Sequence, residues 1–308
     1  MKTIAIFFQK EGKLAPPFDA EIFFEAYKHI AFLLQEKNIR TVFSRGTNSY
    51  LKAGKFSSGY EFIGDELQEV SEFTADMVYD KGDQEGFLEV YDEKVLVLNS
   101  PKLTEICTNK WRTYEYFGEY CPKTYYISSE EEFRAGLNTF DAEKDLVIKP
   151  LDLGGGKGIF IDIPEKLKNI PKSFPLLMQE FIDTSAGIPG ITTGMHDLRV
   201  VLCNGEIIHS NIRTPGKGDK KANFSQGGSL KVIDPELLPE DLKYIVASID
   251  FDLSLYGERL YSLDFGLSAD NEWKLIELNA RPGMPSIDTE FSFLHEKLAD
   301  FFARILHS

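Results

Sequence analysis

Lys149-Pro150-Leu151-Asp152-Leu153-Gly154-Gly155-Gly156-Lys157-Gly158 is the stretch that decides how this chain is read. The apolar run Leu146-Val147-Ile148 leads into it, and Gly158-Ile159-Phe160-Ile161 leaves it as a second strand. A glycine-rich loop therefore joins two strands. Glycines let a backbone approach phosphate oxygens closely and aim several N–H groups at them. Lys149, at the strand end, is placed to neutralise an α/β-phosphate. The loop is not a Walker A motif, because Gly158 stands where Ser or Thr would meet magnesium. It is not G-x-G-x-x-G either, since Ile159 occupies the last glycine position. A flexible hairpin tip explains the same residues, and on this stretch alone the two readings are even.

Downstream, two further groups of residues bear on the choice. Asp264 lies in Ser262-Leu263-Asp264-Phe265-Gly266, and Glu277 and Asn279 lie in Leu275-Ile276-Glu277-Leu278-Asn279-Ala280. Strand positions two apart face one side, so Glu277 and Asn279 project together and Asp264 can join them from a paired strand. Three oxygen ligands in an apolar sheet suit a magnesium ion bridging nucleotide phosphates. A solvated sheet face is the weaker alternative, because Glu277 is embedded among apolar neighbours. The basic segment runs from Arg213 through Lys217, Lys220, Lys221 and Asn223 to Gly227-Gly228. It could fold over an anion, although glycine and lysine equally favour a plain surface loop, the better reading of this segment by itself.

The rest of the chain supplies the frame. Ile4 to Phe8 reads as a strand. A helix follows, with Ile22, Phe23, Ala26, Ile30, Leu33 and Leu34 at helical spacing and Asp19 expected as its N-cap. Thr41-Val42-Phe43, Met77-Val78-Tyr79 and Val95-Leu96-Val97-Leu98 continue as strands, giving a small Rossmann-like β–α–β unit to about residue 100. Arg45, after the second strand, reads as a surface arginine more readily than one facing a cleft. From residue 102 the pattern becomes α+β. Leu176 to Phe181 is a strand. Asn204-Gly205 signals a hairpin between Leu198–Leu202 and Glu206–Ile212, Leu260–Phe265 pairs with Trp273–Leu278, and Phe291 to Ile305 repeats at helical period.

Bulk properties narrow the function. The 308 residues are 43% hydrophobic and 27% charged, as in ordinary globular chains, and suit two or three packed subdomains. A formal net charge of −15 argues against a broad nucleic-acid footprint but leaves room for a local basic pocket. No apolar run reaches a membrane span, and the N-terminal Met1–Phe8 stretch lacks a signal-peptide cleavage pattern. The cysteines, Cys107, Cys121 and Cys203, have no metal or redox spacing and fit reduced thiols in a cytoplasmic protein. Five unclustered histidines offer no nucleophile–base set, and His196 and His209 read as structural or exposed.

Taken together, Lys149 to Phe160, His196 to Gly228 and Tyr261 to Gly283 resemble, in order and spacing, the ATP-grasp superfamily, over about residues 102–288. The nearest resemblance is to the branch of bacterial glutathione synthetase and the enzymes that add glutamate to a ribosomal protein tail. It implies a mixed α/β, ATP-grasp fold: two α+β lobes clasp ATP behind a Rossmann-like N-terminal domain. Residues 1–101 would be that substrate-side domain, 102–182 the small lobe with a glycine-rich lid, and 183–308 the large lobe with metal and substrate sites.

The resemblance also assigns roles. Lys110 and Lys149 contact ATP phosphates, with Gly154, Gly155, Gly156 and Gly158 covering them. Gln179, Glu180, Phe181 and Ile182 form the hinge that holds the adenine. Asp264, Glu277 and Asn279 bind magnesium, with manganese as a substitute. Arg213 stabilises the acyl-phosphate and tetrahedral intermediate, and Asn223 matches a further active-site position. Lys221 and Arg281 join the catalytic group by position, the one in the basic segment and the other two residues after Asn279. For Arg281 the plainer alternative is a salt bridge fixing the Pro282-Gly283 turn. This chain departs from the family's pattern at Asn109, where Asp is usual, at Lys221, where Arg is frequent, at Arg281, where a small residue is frequent, and in a long Asp183–Met195 segment. The implied activity joins a small-molecule or peptide carboxylate to an amine through an acyl-phosphate, with no nucleic-acid or membrane partner and a homo-oligomer left open. A phosphotransferase, or an ATP-binding module without turnover, would use the same fold.

Overall fold

The computed structural model describes residues 1–82, 94–216, 229–284 and 292–307. Three stretches of the chain, to residue 100, from 101 to 182 and from 183 onward, are the first, second and third segments. The first segment contains β1 (Lys2–Phe8), α1 (Glu21–Glu36), β2 (Ile39–Arg45), β3 (Tyr50–Lys52), β4 (Lys55–Phe56), β5 (Gly59–Ile63), β6 (Glu66–Val70), β7 (Phe73–Thr74), β8 (Met77–Asp80) and β9 (Leu96–Leu98). Strands β2, β1, β8 and β9 lie parallel in that order, with β5 and β6 added antiparallel beyond β2. β3, β4 and β7 make a separate three-stranded sheet. The parallel pair β1–β2 requires a crossover, and α1 supplies it. Ala26, Tyr27, Ile30, Ala31 and Leu34 line its buried stripe at helical period. Asp19 does not cap this helix: the cap position is Ala20, without a side-chain bond. The chain leaves the turn at Pro17 one residue later than expected, and Glu21 places the negative charge in the first turn instead.

The second segment contains α2 (Pro101–Thr108), α3 (Lys110–Phe117), β10 (Thr124–Ile127), α4 (Glu130–Leu137), β11 (Leu146–Pro150), β12 (Phe160–Asp162), α5 (Pro164–Leu167) and β13 (Leu176–Glu180). Its antiparallel sheet has the order β10-β13-β11-β12. Each of the first two helices starts on a side-chain cap. Ser100 Oγ accepts from Leu103 N, and Asn109 Oδ1 accepts from Trp111 N and Arg112 N.

The third segment contains β14 (Asp197–Cys203), β15 (Glu206–Thr214), β16 (Ser229–Ile233), α6 (Glu240–Leu253), β17 (Leu260–Leu267), β18 (Trp273–Asn279) and α7 (Ser292–His307). The sheet order is β16-β15-β14-β17-β18, all antiparallel. The hairpin turn is where Asn204-Gly205 put it, with φ of 47° and 86°. A side chain at Gly205 would also strike the Asp250 carboxylate. Every residue of β17 is buried, as a central strand covered on both faces must be.

The division at residues 101 and 182 is a proposal resting on the three larger of these four sheets. Helix α7 buries Leu294, Leu298, Phe301 and Phe302 in one core with β1, β8 and α1, and with Val201, Cys203 and Ile208 of the third sheet. The Phe302 ring meets that of Tyr79 at 5.4 Å. The Asp183–Met195 segment is packed as well. Thr184 Oγ1 bonds both His196 N and His196 O, and Ile188 enters the core of the third sheet.

Candidate active site

A cavity of about 560 Å³ lies between the second and third segments. Lys110, Lys149, Gly154, Gly155, Gly156, Gln179 to Ile182, Asp264, Glu277, Asn279, Arg213 and Arg281 all line it, while Gly158 of the same loop does not. Lys221 and Asn223, with Lys217 and Lys220, lie outside the described residues.

Lys110 opens α3, just after the Asn109 cap. Its Nζ donates to Leu153 O at 2.7 Å and lies 3.4 Å from Glu277 Oε1. Lys149 ends β11 with its Nζ on Gln179 Oε1 at 2.7 Å and Ile276 O at 3.5 Å. The Gln179 amide is fixed in turn by donating to Thr124 Oγ1 at 2.7 Å. Gln179 thus orients a lysine, which the hinge reading had not foreseen. Burial first, and then the like charge of Lys110, lower Lys149 to about 8. Between the two strands Gly155, Gly156 and Gly158 all take positive φ, a conformation that L side chains resist. Phe181 and Ile182 line the cavity at the end of β13, and Glu180 N donates to Lys123 O at 2.9 Å.

The opposite wall is built from strand register. Asp264 on β17 stands opposite Glu277 on β18 and opposite Arg199 on β14, and Asp197 stands opposite Arg213. These pairings bring two carboxylates and two guanidiniums into one network. Arg199 Nε and Nη2 donate to Asp264 Oδ1 and Oδ2 at 2.7 and 2.8 Å. Arg213 Nη2 donates to Asp264 Oδ2 at 2.6 Å, while its Nε and Nη2 also hold Asp197 at 2.6 and 2.5 Å. Burial opposes the charge on Asp264, but the two arginines outweigh it and keep its carboxyl low. Asp197 goes the other way, pushed up by burial and by the neighbouring Asp264. Asp197 and Arg199 were not among the sequence's candidate site residues. The signal was present, since an acid and a base alternate along β14 on the side that faces Asp264.

Asp264, Glu277 and Asn279 fit a divalent cation in donor type and in face. All three line the cavity, and Glu277 is about a third exposed. In the structure their oxygens are engaged by cations or N–H groups. Asp264 carries the two arginines, Lys110 approaches Glu277, and Asn279 Oδ1 accepts from Arg281 N at 2.9 Å. A metal ion would replace positive charge already in position.

Arg281 is held across the molecule. Its Nη2 donates to Asp80 Oδ2 at 2.8 Å, so the salt bridge weighed for it exists, but its partner is at the end of β8 and not within the turn. Arg45 is neither on the surface nor in the cavity. It is buried between the rings of Phe8 and Phe18, its guanidinium carbon about 4.5 Å from each ring centre, and it donates to Pro16 O. His196 and His209 are buried and held neutral by burial, as structural histidines are.

Two antiparallel sheets closing on one cavity, with lysines and a glycine loop on one side and an acidic strand pair on the other, define an ATP-grasp protein. The model for the prokaryotic glutathione synthetase ATP-grasp domain matches residues 109–266, just over half of the chain, and the chain belongs to that family. The glutathione synthetase of Shewanella oneidensis is 30% identical over 190 residues, 56% of each chain. A probable alpha-L-glutamate ligase of Shewanella halifaxensis is 29% identical over 150 residues, 47% of this chain and 30% of that one. The chain thus matches about half the length of the glutathione synthetases it resembles. Among solved structures, D-alanyl-alanine synthetase A from Vibrio cholerae aligns over 99% of this chain and 98% of that one, with a TM-score of 0.67 at 14% identity. D-cycloserine synthetase DcsG aligns over 98% and 99%, at 0.68 and 11%. At such identities the likeness establishes the fold. Among the described residues no helix is long and apolar enough to cross a membrane.

Proposed function

We propose that this chain is an ATP-dependent carboxylate–amine ligase acting through an acyl-phosphate, with magnesium as its metal. The observation that carries the reading is the cavity itself. Two buried lysines, one opening a helix and one on the small sheet, line the same cavity as a carboxylate–amide strand, and three arginines stand around the same space. The substrate carboxylate oxygen attacks the γ-phosphorus of ATP and ADP leaves. An amine then attacks the acyl carbon, loses a proton, and phosphate departs with the former carboxylate oxygen. Lys110 and Lys149 hold the phosphates, and the glycine loop closes over them by its N–H groups. Asp264, Glu277 and Asn279 would hold magnesium, which disperses charge on the transferring phosphoryl group when bound. Arg213 and Arg199 neutralise Asp264 until then, and once released have guanidiniums for the acyl-phosphate.

Phosphate release assayed with a panel of amino acids and short peptides tests the reading. Release should require ATP, a carboxylate and an amine together. Glu277→Gln should lower turnover at least about a hundredfold at limiting magnesium, about 2.7 kcal/mol of barrier. ADP release that needs only one acceptor and frees no phosphate would identify a phosphotransferase, and release of neither ADP nor phosphate a binding module.

A further inference from the structure

The turn that follows β18 is fixed from the N-terminal sheet. Asn99, just after β9, donates Nδ2 to Leu260 O at 2.8 Å and Ala280 O at 2.7 Å, and its Oδ1 accepts from Leu260 N at 2.7 Å. Lys81 Nζ donates to Pro282 O at 2.6 Å and to Arg281 O at 3.4 Å. Asp80, the last residue of β8, has a side chain only 1% exposed. Its Oδ2 accepts from Arg281 Nη2 at 2.8 Å, and its backbone oxygen accepts from Arg281 Nε at 3.3 Å. Its other carboxylate oxygen accepts from Gly82 N at 2.8 Å. Arg281 and Gly82 both line the cavity that contains Glu277 and Asn279.

A guanidinium is a rigid planar fork. Gripping it along the Nε–Nη2 edge fixes the plane in which its remaining N–H groups point. The carboxylate that does so is itself locked by Gly82 N–H, so neither partner can turn alone. The backbone bonds from Asn99 and Lys81 fix where the arginine starts, and Asp80 fixes where it points. We infer that Asp80 is a positioning residue for the ligation, orienting Arg281 toward the substrate carboxylate from outside the two lobes that clasp ATP. The inference rests on the ligase reading above and gives the N-terminal sheet a part in substrate selection.

Asp80→Asn keeps the shape and an acceptor for Gly82 N–H but removes the charge. With the carboxylate and amine that the panel identifies, the KM for the carboxylate should rise about tenfold or more, the loss of one charge-assisted contact. The KM for ATP, and Mg-ADP affinity by calorimetry, should stay within about twofold. Arg281→Lys should show the same split, and the double variant should be no worse than either single one. Equal rises in both KM values, or additive effects in the double variant, would mean that Asp80 acts only on folding and would overturn the inference. A parent enzyme inert across the whole panel would overturn the ligase reading and this inference together. An active parent with an unchanged Asp80→Asn would overturn this inference alone.

Discussion

The two walls of the cavity handle buried charge in opposite ways. On the side of the small sheet and of α3, Lys110 and Lys149 rest mainly on neutral oxygens, those of Leu153, Gln179 and Ile276, with a single carboxylate 3.4 Å from Lys110. On the large sheet, Arg199 and Arg213 are saturated by Asp197 and Asp264. A desolvated cation on neutral partners gains strongly when an anion arrives. A saturated ion network gains only if an arriving cation displaces one of its own members. On the proposed reading the first wall takes phosphate and the second exchanges, a metal at Asp264 freeing an arginine.

The sharpest way to break this comparison is to remove an arginine from the saturated wall. Arg213→Ala leaves two buried carboxylates with one counter-charge, which should cost about 3–5 kcal/mol of stability. Urea denaturation should find most of that loss in metal-free protein, and magnesium should restore part of it. A loss of the same size with and without magnesium would contradict the exchange.

The neutral-partner wall makes a prediction in pH. Lys149 titrates near 8 in the folded chain, against an ordinary 10.5. Between those values the unfolded chain holds the extra proton, so this group makes stability rise with pH from about 8 to about 10.5 and adds no slope below 8. On the proposed reading, nucleotide binding needs the charged lysine. Mg-ATP affinity should therefore weaken as pH rises past 8, and binding at pH 8–9 should take up a proton. Calorimetry in buffers of different ionisation heat measures that uptake, and Lys149→Met should abolish it.

The smallest expected effect concerns the helix that presents Lys110. Asn109→Ala removes its cap and should cost about 1 kcal/mol in thermal or chemical unfolding. Asn109→Asp, the residue usual in the family, should stay within a few tenths, because a carboxylate caps as well and suits the helix dipole. A large loss from the Asp variant would mean that this position does more than start the helix.

Much of this was legible in the chain. Local patterns are short-range physics, so short apolar runs located β11, β14, β15, β17 and β18, the Asn204-Gly205 turn was read from two residues, and the glycine loop from ten. Face assignments followed from the same alternation, which is why Glu277 and Asn279 could be placed on one side of β18 in advance. The strands between residues 50 and 74 were not anticipated, because they are short and polar and gain their stability from neighbours. Partners were the other gap. Nothing local says that Asp264 would be held by Arg199, that Gln179 would orient Lys149, that Arg45 would lie between two phenyl rings, or that Arg281 would reach Asp80, 201 residues away. The sequence by itself determined the glycine loop, the acidic strand pair and their order, since each is written in consecutive residues. Only the tertiary structure decided which charges meet, because a buried charge takes its partner from whatever strand register and packing bring within about 3 Å.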